Sequence, residues 1–115
     1  MNYPLDKAII TASISMAALF FSTGTYAVDE EAAKALARQN GCLKCHSVSK
    51  KMDGPAYKDV AAKYRGKAGA EARLIEHITT GEKAKFEDGH EEEHKIIKTK
   101  DMNEIRNLVN WILLQ

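Results

Sequence analysis

Cys42, Cys45 and His46 fall in one five-residue run, Cys42-Leu43-Lys44-Cys45-His46, which holds both cysteines of the chain. Three chemistries use a Cys-x-x-Cys pair. A thioredoxin-like redox site needs a strand-to-helix framework, and the sequence shows essentially no strand signal. A four-ligand zinc site needs a second pair of soft ligands, and there is no third cysteine. With the histidine added, the run is an attachment signal for a c-type haem. Two thiols at this spacing can form thioethers to the vinyl groups on one edge of a haem, and the adjacent imidazole then lies beneath the iron as an axial ligand. One ring nitrogen binds iron and the other must find an acceptor.

Haem attachment of this kind belongs to an exported protein, and the start of the chain reads as an export signal. Lys7 precedes an uncharged, mostly apolar stretch from Ala8 to Phe21, followed by Ser22-Thr23-Gly24-Thr25-Tyr26-Ala27 and the acidic start Asp29-Glu30-Glu31. A charged start, apolar middle and small-residue exit form a secretory signal peptide over residues 1–27, cleaved after Ala27. The apolar run is shorter than the roughly 20 residues a membrane span requires. Retention as an uncleaved anchor is the alternative. Cleavage leaves a domain of residues 28–115 in the periplasm, an oxidising compartment, with no stable membrane insertion. The formal charge of +1 with 29% charged residues provides no field for nucleic acid and no acidic excess for disorder.

The elements that must hold the motif are short helices. Asp29 to Asn40 carries Ala32, Ala33, Ala35, Leu36 and Ala37 on a small apolar face, acids in its first turn and Gly41 at its end. Ser47 to Pro55 is a loop ending in Asp53-Gly54-Pro55, which is turn chemistry. Tyr57 to Tyr64 and Ala70 to Thr80 follow as helices, separated by Arg65-Gly66-Lys67-Ala68-Gly69. Lys83 to Lys98 is charged, poor in apolar residues, and reads mostly as loop. A last helix, capped by Thr99 or Asp101, repeats Ile105, Leu108, Val109, Trp111 and Ile112 at three- and four-residue steps. Three or four such helices enclose little apolar volume in a domain this small, and a bulky apolar cofactor would supplement the core.

Beyond the attachment motif, three runs resemble the short bacterial class I cytochromes c: Lys51-Met52-Asp53-Gly54-Pro55-Ala56-Tyr57-Lys58-Asp59-Val60-Ala61-Ala62-Lys63-Tyr64, Ala68-Gly69-Ala70-Glu71-Ala72, and Leu108-Val109-Asn110-Trp111-Ile112-Leu113. The resemblance covers about Ala33 to Gln115. It implies an all-α class I cytochrome c fold of three to four short helices wrapped around one covalent haem. It also implies that the Pro55 carbonyl accepts the free nitrogen of His46, and that the first helix, through Leu36, packs on the last, through Leu108 and Ile112.

The sequence departs from that family where its members supply a methionine as sixth ligand, from a Pro-flanked loop between the last two helices. Here that loop, Glu82 to Ile97, contains neither methionine nor proline and is longer. Counting back from Trp111 places His94 close to the methionine's position, so His94 is the preferred distal ligand. Counting forward from Gly81 makes His90 its rival. The remaining possibilities are an open sixth position, Met102 bending in from the last helix, or a second metal held by His90 and His94 with Glu91, Glu92 and Glu93. His77 reads as a partly exposed structural histidine, Trp111 as a core residue, and Tyr57 and Tyr64 as packing residues within possible reach of a propionate. Lys44, Lys50, Lys51, Lys58 and Lys63 could form a positive rim near the haem edge.

The resulting expectation is a periplasmic, monomeric one-electron carrier between redox proteins, with His/His axial ligation and no catalysis of its own. Exchange of imidazole for thioether would lower its potential. Two other classes compete: a haem-based binder of nitric oxide or carbon monoxide, and a cytochrome subunit of a larger periplasmic oxidoreductase.

Overall fold

A computed structural model describes residues 27–115; the signal segment expected over 1–27 lies outside them except for Ala27. Four helices carry the fold: α1 (Glu30–Gln39), α2 (Tyr57–Tyr64), α3 (Ala70–Thr79) and α4 (Met102–Leu113). Among the described residues no helix is long and apolar enough to cross a membrane.

Local chemistry sets the helix ends. The Asp29 carboxylate accepts from Ala32 N–H to cap α1, and Gly41, at φ 68°, ends it in the left-handed region that glycine adopts freely. α2 has no side-chain cap. Its first N–H groups are satisfied by the preceding loop instead, with Tyr57 N–H donating to Ser47 O and Lys58 N–H to Val48 O. That pairing docks the loop after the cysteines onto α2. Asp101 caps α4, accepting from Asn103 N–H at 2.8 Å, while Thr99 donates to the Glu104 carboxylate.

α4 is the centre of the packing and contacts α1, α2 and α3. Ile105, Leu108, Val109, Trp111 and Ile112 are all buried, as their spacing predicts. Full burial of side chains such as Leu108 contributes roughly 1.5–3 kcal/mol each. Against it, α1 presents Ala33 and Ala37, which have no exposed surface, with Leu36 only partly buried. Small residues at this crossing bring the two backbones close.

Two elements were not expected. Residues Cys42–Lys44 form a single 3-10 turn. The stretch read as loop contains a hairpin, β1 (Lys83–Lys85) paired antiparallel with β2 (Glu91–Glu93). Its register sets Lys83 opposite Glu93 and Lys85 opposite Glu91, so opposite charges pair across the strands. Phe86 N–H donates to His90 O and Gly89 N–H to Phe86 O, with Gly89 at φ 92°, closing a three-residue turn over Glu87-Asp88-Gly89.

Candidate metal centre

The proximal half is built by the turn after α1. Cys45 N–H and His46 N–H both donate to Cys42 O, at 3.2 and 2.9 Å, which fixes both cysteines and the histidine in one compact turn. Cys42 is partly buried against the core and Cys45 is exposed, and the two are not joined to each other. Burial raises the Cys42 thiol pKa above its ordinary value. The following loop folds back over the histidine, with Gly54 N–H donating to Cys45 O at 2.8 Å. This brings the Pro55 carbonyl to 2.8 Å from His46 Nδ1, which donates to it. The tautomer leaves the Nε2 lone pair of His46 for a metal.

The His46 ring lies directly on Gly54. A Cβ at position 54 would stand 2.5 Å from Cε1 and 2.8 Å from Nδ1 of that ring, so only glycine leaves room for it. Tyr57 stacks on the His46 ring at 5.2 Å between centres and 20° between planes, and Trp111 meets Tyr57 edge-on at 5.6 Å. Burial pushes the Tyr57 phenol well above the ordinary tyrosine range. Trp111 is therefore in the core, one ring removed from His46. Tyr64 lies instead beneath Lys63 and Lys67.

The hairpin builds the distal half. His94 follows β2 directly, and its N–H donates to Glu82 O at 3.0 Å, which places it at the hairpin's base. Its Nδ1 donates to Lys95 O at 2.9 Å, so this ring too keeps an Nε2 lone pair. The ring centre of His94 lies 6.2 Å from that of His46, with 50° between planes. Two imidazoles sharing one metal through Nε2, at about 2.0–2.1 Å per bond, hold their centres roughly 6.3 Å apart. The separation of the two ring centres is close to that value. Burial, then the nearby His77, lowers the His94 pKa and favours the neutral, metal-binding form.

His90 sits at the far end of the turn. Its Nδ1 is engaged by Asp88 and its Nε2 by Glu92 at 3.2 Å, while its face stacks on Phe86 at 4.3 Å. Met102 is 41% exposed in the first turn of α4. Among the described residues, no group of three or more His, Cys, Asp or Glu could hold a further metal ion. A cleft of about 500 Å³ between the loop and the hairpin is lined by Pro55 and Phe86 and bridged by Lys51 and Glu87 at 2.8 Å. Lys44, Lys50, Lys51, Lys58 and Lys63 are all exposed.

Sequence reasoning missed Gly54 as the seat of His46, and it missed the cluster behind His94. There, Glu82 accepts from Arg73 at 2.7 Å and from His77 Nδ1 at 2.5 Å, and the His77 ring centre lies 4.1 Å from that of His94. The Arg73 guanidinium, then His77, holds the Glu82 carboxyl down at about 2. The Asp53-Gly54-Pro55 turn signal marked the first; nothing in the sequence marked the second.

This geometry has relatives. The cytochrome c profile matches residues 30–114, and the chain belongs to the cytochrome c family. It is 66% identical to the class 1 cytochrome MtoD from Sideroxydans lithotrophicus ES-1, whose crystal structure superposes with a TM-score of 0.74 over 76% of this chain and 97% of that one. It is 43% identical to cytochrome c-551 of Pseudomonas aeruginosa over 65% of this chain and 69% of that protein. It is 49% identical to cytochrome c-551 of Allochromatium vinosum over 53% of this chain and 65% of that protein, so the match spans about two thirds of these relatives' length. The fold is that of the class I cytochromes c, and with it comes one covalently attached c-type haem and the role of an electron carrier.

Proposed function

We propose that this chain is a periplasmic one-electron carrier whose haem is joined through Cys42 and Cys45 and ligated axially by His46 and His94. The bound haem supplies the iron that alternates between ferric and ferrous states. The chain's own residues hold that iron still. Pro55 and Lys95 fix the tautomer of the two imidazoles, Gly54 seats His46, and the hairpin brings the His94 ring centre to 6.2 Å from that of His46. A site fixed in this way changes little between redox states, as a carrier of single electrons requires.

The observation that supports this reading is the facing of two half-buried imidazoles at 6.2 Å, each with Nδ1 tied to a backbone carbonyl. Two imidazoles stabilise ferric iron more than imidazole with thioether, so the carrier serves a couple of lower potential than a His/Met cytochrome. The removal of residues 1–27, export and a monomeric state belong to the same reading. Exposed Lys44, Lys50 and Lys58 beside the attachment turn suit an acidic redox partner.

The test is mass spectrometry of the mature protein together with low-temperature spin resonance of wild type, His94→Ala and His90→Ala. One added haem mass, a low-spin wild type, and a change to high spin in His94→Ala alone support the proposal. A high-spin wild type that binds carbon monoxide readily would replace it with a ligand-binding function.

A further inference from the structure

We infer that His77, anchored by Glu82, is a positioning residue that holds His94 in its ligating orientation; this rests on the His46/His94 reading. Three contacts converge. Glu82 receives the backbone N–H of His94 on its carbonyl, at 3.0 Å, and the His77 imidazole on its carboxylate, at 2.5 Å. Arg73, one turn earlier on α3, clamps the same carboxylate at 2.7 Å. His77 in turn lies against the face of His94, 4.1 Å between centres and tilted 42°. One acidic residue thus fixes both the backbone of the distal ligand and the ring that backs it.

The need for such a support follows from where His94 sits. It lies just past a three-residue strand on a charged hairpin, and its own ring makes one hydrogen bond, to the adjacent Lys95 carbonyl. That bond sets the tautomer, while the backbone is held at His94 and Ile97, so the ring's orientation rests on that bond and on what packs against it. The His77 ring packs on that of His94 from α3, which is itself anchored on α4, and so restrains its rotation. The groups facing this cluster are Arg73 and Glu76 from α3 and Glu82 from the hairpin's base.

The experiment measures cyanide association with the ferric holoprotein by rapid mixing, which reports how readily the distal ligand leaves, together with spin resonance and thermal unfolding. Loss of an outer partner of a metal ligand costs about 10- to 100-fold, so His77→Ala is expected to bind cyanide at least about tenfold faster. Its low-spin g-values shift and its unfolding midpoint stays close to wild type. Glu82→Gln, whose amide oxygen still accepts from His77, remains near the wild-type rate, while Glu82→Ala falls between. If His77→Ala cannot be obtained folded, the contrast of Glu82→Ala with Glu82→Gln decides the matter alone. A His77→Ala rate equal to wild type, with His94→Ala high-spin, overturns the positioning role. A low-spin signal that survives in the His77→Ala/His94→Ala double variant shows that the ligand reading itself is wrong, and the positioning role falls with it.

Discussion

The side-chain amide of Asn107 holds the backbone of Asp29 from both sides: its Oδ1 accepts the Asp29 N–H and its Nδ2 donates to the Asp29 carbonyl, each at 2.8 Å. The pair joins the start of α1 to the middle of α4, 78 positions apart in sequence, at a point where Asn107 is buried. Replacing Asn107 by alanine removes both bonds and leaves backbone groups short of partners, a loss of about 2 kcal/mol. Thermal unfolding of the holoprotein is expected to shift down by roughly 4–8 °C for each kcal/mol. An unchanged midpoint would show that water replaces the amide at no cost.

Gly54→Ala places a methyl group inside the His46 ring. The ring must tilt off the Pro55 carbonyl or the loop must move, and overpacking of this kind costs on the order of 1–3 kcal/mol. The expected result is a less stable holoprotein with a shifted absorption band, read by spectroscopy during chemical unfolding. A spectrum and stability equal to wild type would mean that His46 is not seated on this residue.

His94→Met restores the thioether ligand of the family. Thioether favours ferrous iron relative to imidazole, so the midpoint potential rises and the weak sulfur-to-iron band appears at the red end of the spectrum. Redox titration beside wild type measures both. A potential that does not move would detach His94 from the iron.

His90 is expected to titrate freely in the holoprotein. The hydrogen bond to Asp88, aided by Glu92, raises its pKa above 6.5. A raised folded-state pKa stabilises the fold while the group is protonated, so this contribution is present below 6.5 and is lost as pH rises through the folded value. Asp88→Asn brings the pKa back toward 6.5. Proton resonance of the ring across pH checks both values, and a His90 signal that never titrates would make it an iron ligand after all.

The first and last helices were legible because each carries its own start signal. Asp29 and Asp101 cap, Gly41 terminates, and the α4 repeat of apolar residues identifies the face that is buried. The attachment turn was legible because cysteine spacing survives any uncertainty in the surrounding elements. The hairpin was not, because its strands have no apolar alternation; its register comes from lysine facing glutamate across the ladder, and the Asp88-Gly89 turn signal lacked flanking strand pattern. Counting along the chain could not separate His90 from His94 for the same reason. A loop places neighbouring residues near one another, whereas a hairpin carries His90 out to its turn and returns His94 to its base. Nor could the sequence bring His77 to His94, since that contact depends on the hairpin returning to the end of α3.

The hairpin is also a separate structural unit. Residues 81–98 form one continuous connection between α3 and α4, joined back to the body through Ile97 N–H on Ile78 O, Lys98 N–H on the Asn40 side chain, and the Lys51–Glu87 bridge. The cysteines, His46 and the exposed lysines around them belong to other segments. Under the proposed ligation, a change confined to residues 81–98 replaces the distal ligand while the cysteines, His46 and the turn that seats it keep their own hydrogen bonds. Potential and attachment are thereby separable by mutation: one is addressed in the hairpin, the other in the turn after α1.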